Sequence, residues 1–151
     1  MLLDAAAKEK FADVYGEIRS AGTCYACGLM SASVFHSMRA VELGLRIIAR
    51  ALGVTVTGDE QLKNVIDQIE RAAKKLDDTP SRAGKKSDSQ FFSEVAIHAY
   101  NVKDAWRNYV AHAKAEYTDD NALNILANVQ RFYAKVSERF DQHATHGDEA
   151  T

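Results

Sequence analysis

An all-α fold, an up-and-down bundle of four to five helices, is what this sequence predicts, and three observations predict it. Alanine is abundant and proline occurs once, at Pro80; alanine is the best helix former and proline the worst. Apolar residues recur in steps of three and four along most of the chain, the spacing of one helical face. The one extended-looking stretch, Val54-Thr55-Val56, is too short to build a sheet.

The elements follow in order. Phe11, Val14, Tyr15 and Ile18 mark one face of a first helix over about 4–20, and Gly22 is expected to break it. A second helix, about 23–52, carries Val34, Met38, Val41, Leu45, Ile48 and Leu52 as a lengthwise seam. Small residues early in it (Ala26, Gly28, Ser31, Ala32, Ser33) allow a neighbour to come close, and Gly53 is the expected stop. Thr57 and Glu60 have capping-box spacing before a third helix. Its inward row is Leu62, Val65, Ile66, Ile69, Ala73 and Leu76. A polar loop over 77–88 follows. The fourth helix, about 89–115, has the seam Phe92, Val95, Ala99, Val102, Trp106, Tyr109 and Ala113. Trp106 and Tyr109 read as core or dimer residues. Thr118 is the expected cap of the last helix, with Asp119 and Asp120 where the helix dipole favours anions. Ala122, Ile125, Val129, Phe132 and Val136 face inward. One domain is expected over 1–141, with a polar, disordered tail over 142–151.

Composition narrows the function. A chain of 151 residues, 46% hydrophobic and 26% charged, has enough apolar material for one globular core. Its formal net charge of -2 argues against a strongly basic nucleic-acid coat but not against a local basic patch. No apolar run approaches the roughly 18 residues of a membrane span, and Met1-Leu2-Leu3-Asp4 opens no secretory leader. No membrane is expected among the partners, and the cytoplasm is the expected compartment. Cys24 and Cys27 form a lone C-x-x-C read as two structural thiols. A zinc site would need two more ligands; His143 and His146 in the tail are the available residues, and nothing in the sequence assigns them to it. No metal and no cofactor is expected.

The polar faces of the two long helices stand out. His36, Arg39, Glu42 and Arg46 form a stripe on the second helix. Asp104, Asn108 and His112 are spaced four apart on the fourth, with Arg107 within reach of Asp104. The segment Asp104-Ala105-Trp106-Arg107-Asn108-Tyr109-Val110-Ala111-His112 resembles the signature of HEPN domains: an Arg, often followed by Asn, then a His after four to six residues near the end of a long bundle helix. Here four residues separate Arg107 from His112, and the likeness spans about 30–140.

The resemblance implies metal-independent endoribonuclease activity in a toxin or defence system. It implies a homodimer whose two motifs share one cleft, RNA as substrate, and a separate antitoxin or other partner protein. Arg107, His112 and Asn108 would be the catalytic residues. Asp104 or Glu42 would position Arg107, and His36 and Arg39 would support the site. The residue types suit the chemistry: imidazole moves protons near neutral pH, and guanidinium holds phosphate oxygens in pairs. Arg82, Lys85 and Lys86, in the most basic stretch of the chain, are candidate RNA contacts.

Plainer readings stand beside these. His36, Arg39 and Glu42 read as ties from the second helix to the fourth, and His98 as half exposed and idle. Residues five apart on an ideal helix differ by about 140° in direction. Arg107 and His112 therefore meet only if the helix distorts, if the Arg curls round, or if a partner subunit supplies one of them; the last is preferred. The alternative function is a non-catalytic HEPN-like helical dimer, an adaptor that binds nucleotide, RNA or protein.

Overall fold

The computed structural model describes residues 5–58, 61–77, 85–111 and 116–144, with side chains at 9–58, 61–75, 88, 90–104 and 116–138. Five helices, α1 (Ala5–Ala26), α2 (Met30–Ala51), α3 (Leu62–Asp77), α4 (Lys85–Ala111) and α5 (Asp119–Ala144), make the fold, and no strand occurs among the described residues. The protein is an all-α bundle. No helix among the described residues is long and apolar enough to cross a membrane.

α1 and α2 end in the same way. Gly28 and Gly53 take φ of 75° and 74°, a left-handed conformation that costs glycine little. After each, the chain doubles back. Gly28 N–H donates to the Tyr25 carbonyl and Leu29 N–H to that of Cys24. Gly53 N–H donates to Arg50 and Val54 N–H to Ala49. These paired bonds satisfy carbonyls that the helix end would orphan. Gly53 is thus the stop the sequence predicts. Gly22 is not: α1 runs straight through it, and Gly28 ends the helix instead. Glycine lowers helix propensity without forbidding it. The expected starts move as well, since α2 begins at Met30 and α4 at Lys85.

The core is the set of seams read from spacing. Val14, Val34, Val41, Leu45, Ile48, Val65, Ile66, Ile69, Val95, Ala99, Val102, Ala122, Val129, Phe132 and Val136 are fully buried. Tyr15 departs from that pattern. It is 50% exposed, and its ring rests 5.9 Å from that of Tyr133 on α5. α2 is central, packing on α1, α3, α4 and α5. Its row Ser33, Ser37, Ala40 and Gly44 is entirely buried. At Gly44 the approach is closest: a Cβ there would lie 2.7 Å from two ring carbons of Phe132 and 3.4 Å from Phe11.

Thr118 caps α5 as expected, its Oγ1 accepting from Asn121 N–H at 3.3 Å. α5 continues to Ala144, three residues into the expected tail. Leu76, Trp106, Tyr109 and Ala113, expected in the core, have side chains outside the described set.

Candidate functional site

The fourth helix positions the predicted motif. Arg107 and Asn108 fall within the last five residues of α4, and His112 directly follows its described end at Ala111. The side chains of Arg107 and Asn108, and His112 as a whole, lie outside the described residues, as does Arg82. Lys85 and Lys86 form the first turn of α4 rather than a loop, with side chains likewise outside the described set. Asp104, one turn before Arg107, is exposed, and its Oδ1 lies 3.3 Å from Lys103 Nζ.

The α2 stripe does something other than expected. His36 and Arg39 tie α2 to α1, not to α4. Glu17 of α1 accepts from His36 Nδ1 at 2.7 Å through Oε2 and from Arg39 Nε at 3.0 Å through Oε1. The reason is the chain path: the three-residue turn at 27–29 brings the two helices side by side, and Glu17 falls opposite 36–39. Burial pushes the Glu17 carboxyl up, but the hydrogen bonds and charges of His36 and Arg39 outweigh it. The carboxyl is held below its usual value and is ionised at neutral pH. Arg39 gains in the same exchange, its pKa raised by the bond to Glu17.

Glu42 also has another task. Its Oε1 accepts from Arg46 Nη2 at 2.9 Å and from Nε at 3.2 Å, while Arg46 Nη1 reaches the Thr57 carbonyl at 2.7 Å. This set fastens the loop after α2. Among the described residues, no hydrogen bond from Glu42 to α4 is seen.

Glu17 is the residue that sequence reasoning missed. A signal was present: Val14, Glu17 and Ala21 are spaced three and four apart, so a carboxylate interrupts an apolar stripe. The two neighbours on that stripe are fully buried. No such signal marks Asp67 on α3, whose neighbours three and four positions away (Lys63, Asn64, Glu70 and Arg71) are all polar; its Oδ1 accepts a hydrogen bond from Tyr100 Oη of α4. That bond, with burial, pushes the Tyr100 hydroxyl up to about 12. Lys103 sits 4.7 Å over the Tyr100 ring. His98, expected to be idle, is half-buried, and its Nδ1 is buried without a hydrogen-bond partner among the described residues. Burial, then the neighbouring Arg131, lowers its pKa.

The cysteine pair closes one end of the bundle. Cys24 sits in the last turn of α1 and Cys27 is exposed in the turn after it. Between them, Tyr25 Oη donates to Asp119 Oδ2 at 3.1 Å, so this turn lies at the start of α5. His143 is near the other end of α5, about 36 Å away at 1.5 Å per residue. It is therefore no ligand partner for these thiols, and His146 lies outside the described residues. Among the described residues, no three His, Cys, Asp or Glu side chains gather to hold a metal ion.

No family model matches the chain. Searches of curated proteins and of solved structures found no match either. The functional reading therefore rests on this chain's own residues.

Proposed function

We propose that the protein is a metal-independent endoribonuclease of the HEPN kind, acting as a homodimer in a toxin or defence setting. One observation carries the reading. Arg107 and Asn108 occur together at the end of the long helix α4 of an all-α bundle, with His112 next in the chain after Ala111.

The chemistry is transfer of the phosphodiester to the neighbouring ribose hydroxyl. The 2′-oxygen bonds to phosphorus, the bond from phosphorus to the 5′-oxygen breaks, and a 2′,3′-cyclic phosphate remains. His112 moves the proton, Arg107 neutralises the phosphate in the transition state, and Asn108 orients the imidazole or the substrate. Asp104, three residues earlier on the same helix, or Glu42 positions Arg107.

The test is incubation of purified protein with labelled mixed-sequence RNA in EDTA, beside Arg107→Ala and His112→Ala. Both variants must keep wild-type helicity and wild-type mass by light scattering. The wild type is expected to cut and leave cyclic phosphate ends, and each variant to lose at least about a hundredfold in rate, the scale of general acid–base catalysis. Cleavage that survives both changes refutes the assignment.

The adaptor is the second reading. What favours it is the exposure of large apolar side chains, Leu29, Phe35, Ile97 and Leu123. Absence of cleavage by all three proteins supports it.

A further inference from the structure

The strongest unassigned cluster among the described residues is the one on α1 and α2. The ionised Glu17 can only accept hydrogen bonds, so His36 Nδ1 is the donor in their 2.7 Å contact. The imidazole is thereby fixed in one tautomer and one orientation, with Nε2 as its free end. His36 keeps 30% of its side-chain surface, and Nε2 has no second partner among the described residues. Arg39 sits one helical turn further on, 49% exposed. Among the described residues only its Nε is engaged, which leaves Nη1 and Nη2 as an open pair of donors. Such a pair matches two oxygens of a phosphate, and a lysine does not replace it. Phe35 completes the face. It is 48% exposed, and its ring meets that of His36 edge-on with centroids 5.6 Å apart. A large aromatic surface left in water beside a cation is a stacking platform for a base.

We infer that Glu17, His36, Arg39 and Phe35 form a binding site for a nucleotide phosphate: Arg39 and His36 hold the phosphate, Phe35 stacks the base, and Glu17 is the positioning residue. Protein surfaces carry many single ion pairs of little consequence. Here one carboxylate engages two groups with its two oxygens and leaves the anion-binding end of each without a partner among the described residues, on side chains that keep part of their surface and next to an exposed ring. The site stands on α1 and α2 alone and does not depend on Arg107 or His112.

The test is a titration of the protein followed by the ring signals of His36 and Phe35 in carbon–proton correlation spectra, with His36→Gln and Phe35→Leu used for assignment. The probes are uridine 3′-monophosphate, inorganic phosphate, uridine and oligouridine. Uridine 3′-monophosphate is expected to shift both rings saturably, and inorganic phosphate to shift His36 alone with weaker affinity. Uridine is expected to leave His36 unmoved. Arg39→Lys keeps the charge and loses the fork, and is expected to weaken nucleotide binding about tenfold or more. Phe35→Leu should reduce nucleotide affinity to that of inorganic phosphate. Oligouridine binding more tightly than the monophosphate identifies an RNA strand as the ligand; the reverse identifies the free nucleotide. No saturable shift of His36 with any phosphate probe overturns the site, as does Arg39→Lys binding as well as the wild type. Inorganic phosphate binding as tightly as the nucleotide overturns the nucleotide assignment. His112→Ala is expected to retain the shifts whether or not it cleaves RNA, which separates this inference from the nuclease reading.

Discussion

The α1–α2 pair and the α3–α4 pair are built on the same apolar logic and fastened by opposite chemistry. The first pair is joined by a three-residue turn and tied by an ionised carboxylate that holds two basic side chains. The second is joined through 78–84 and tied by a protonated phenol donating to Asp67. One fastening fails when a carboxylate gains a proton, the other when a phenol loses one. The lesson is that burial sets where helices lie, whereas the ionisation of a few half-buried groups sets the pH range over which each pair holds.

The docking of the first pair onto α5 is where the largest effect is expected. Gly44→Ala puts a methyl group 2.7 Å from the buried Phe132 ring, and the net cost is expected to be about 1–3 kcal/mol. Urea unfolding reads it directly, and the melting temperature should fall by roughly 2–4 °C per kcal/mol. Replacing Phe132 with Leu in the same chain should recover part of the loss, since it removes the atoms that clash.

Glu17→Gln removes the charge that both His36 and Arg39 use. With Arg39 half exposed to water, the expected loss at pH 7 is about 1 kcal/mol. Its pH signature is sharper than its size. The folded-state value of Glu17 lies below its ordinary 4.5, so the stabilisation is present above about pH 4.5 and is lost as pH falls through the folded value. Unfolding curves from pH 6 to 3 should therefore converge for wild type and variant.

Tyr100→Phe is expected to cost about 1 kcal/mol near neutrality. Here the sign reverses. The folded value is about 12 against an ordinary 10.0, so the contribution is whole below pH 10 and disappears as pH rises through 12. Denaturation measured between pH 9 and 12 should show the wild type losing stability relative to the variant. Glu17→Gln should leave that alkaline slope unchanged.

The smallest change has the opposite direction. A Cβ at Gly22 would meet nothing within 4 Å, and the residue is helical in α1. Gly22→Ala is expected to add about 0.5–1 kcal/mol by thermal melting. Set beside Gly44→Ala, it shows that the same substitution on two buried-face helices is decided by what stands opposite.

The sequence made the helices, their seams and two of the caps legible, because these depend on neighbours within four or five positions. Val41, Leu45 and Ile48 were readable from spacing alone, and so was the Thr118 cap. What was not legible depended on which helix lies beside which. His36 and Arg39 were recognisable as polar ties, but their partner was assigned to the fourth helix rather than to Glu17 on the first. Glu42 reads as a tie to the fourth helix, and its described partner is Arg46, one turn along its own helix. The role of Gly44 was hidden for the same reason, since Phe132 is 88 positions away in the chain.

The hydrogen bond from Tyr25 to Asp119 joins residues 94 positions apart, while the turn that pairs α1 with α2 closes over three. Chain entropy makes the order of assembly unequal. The first hairpin gathers its contacts locally and at little entropic cost, so it can stand before most of the chain has been synthesised. α5 is the late arrival. Its packing on α4 is near in sequence, but the groove at Gly44 lies 88 positions from the Phe132 that fills it, and until α5 docks that groove is uncovered. Loss of α5 is therefore expected to uncover apolar surface on α2 before it disturbs the α1–α2 hairpin.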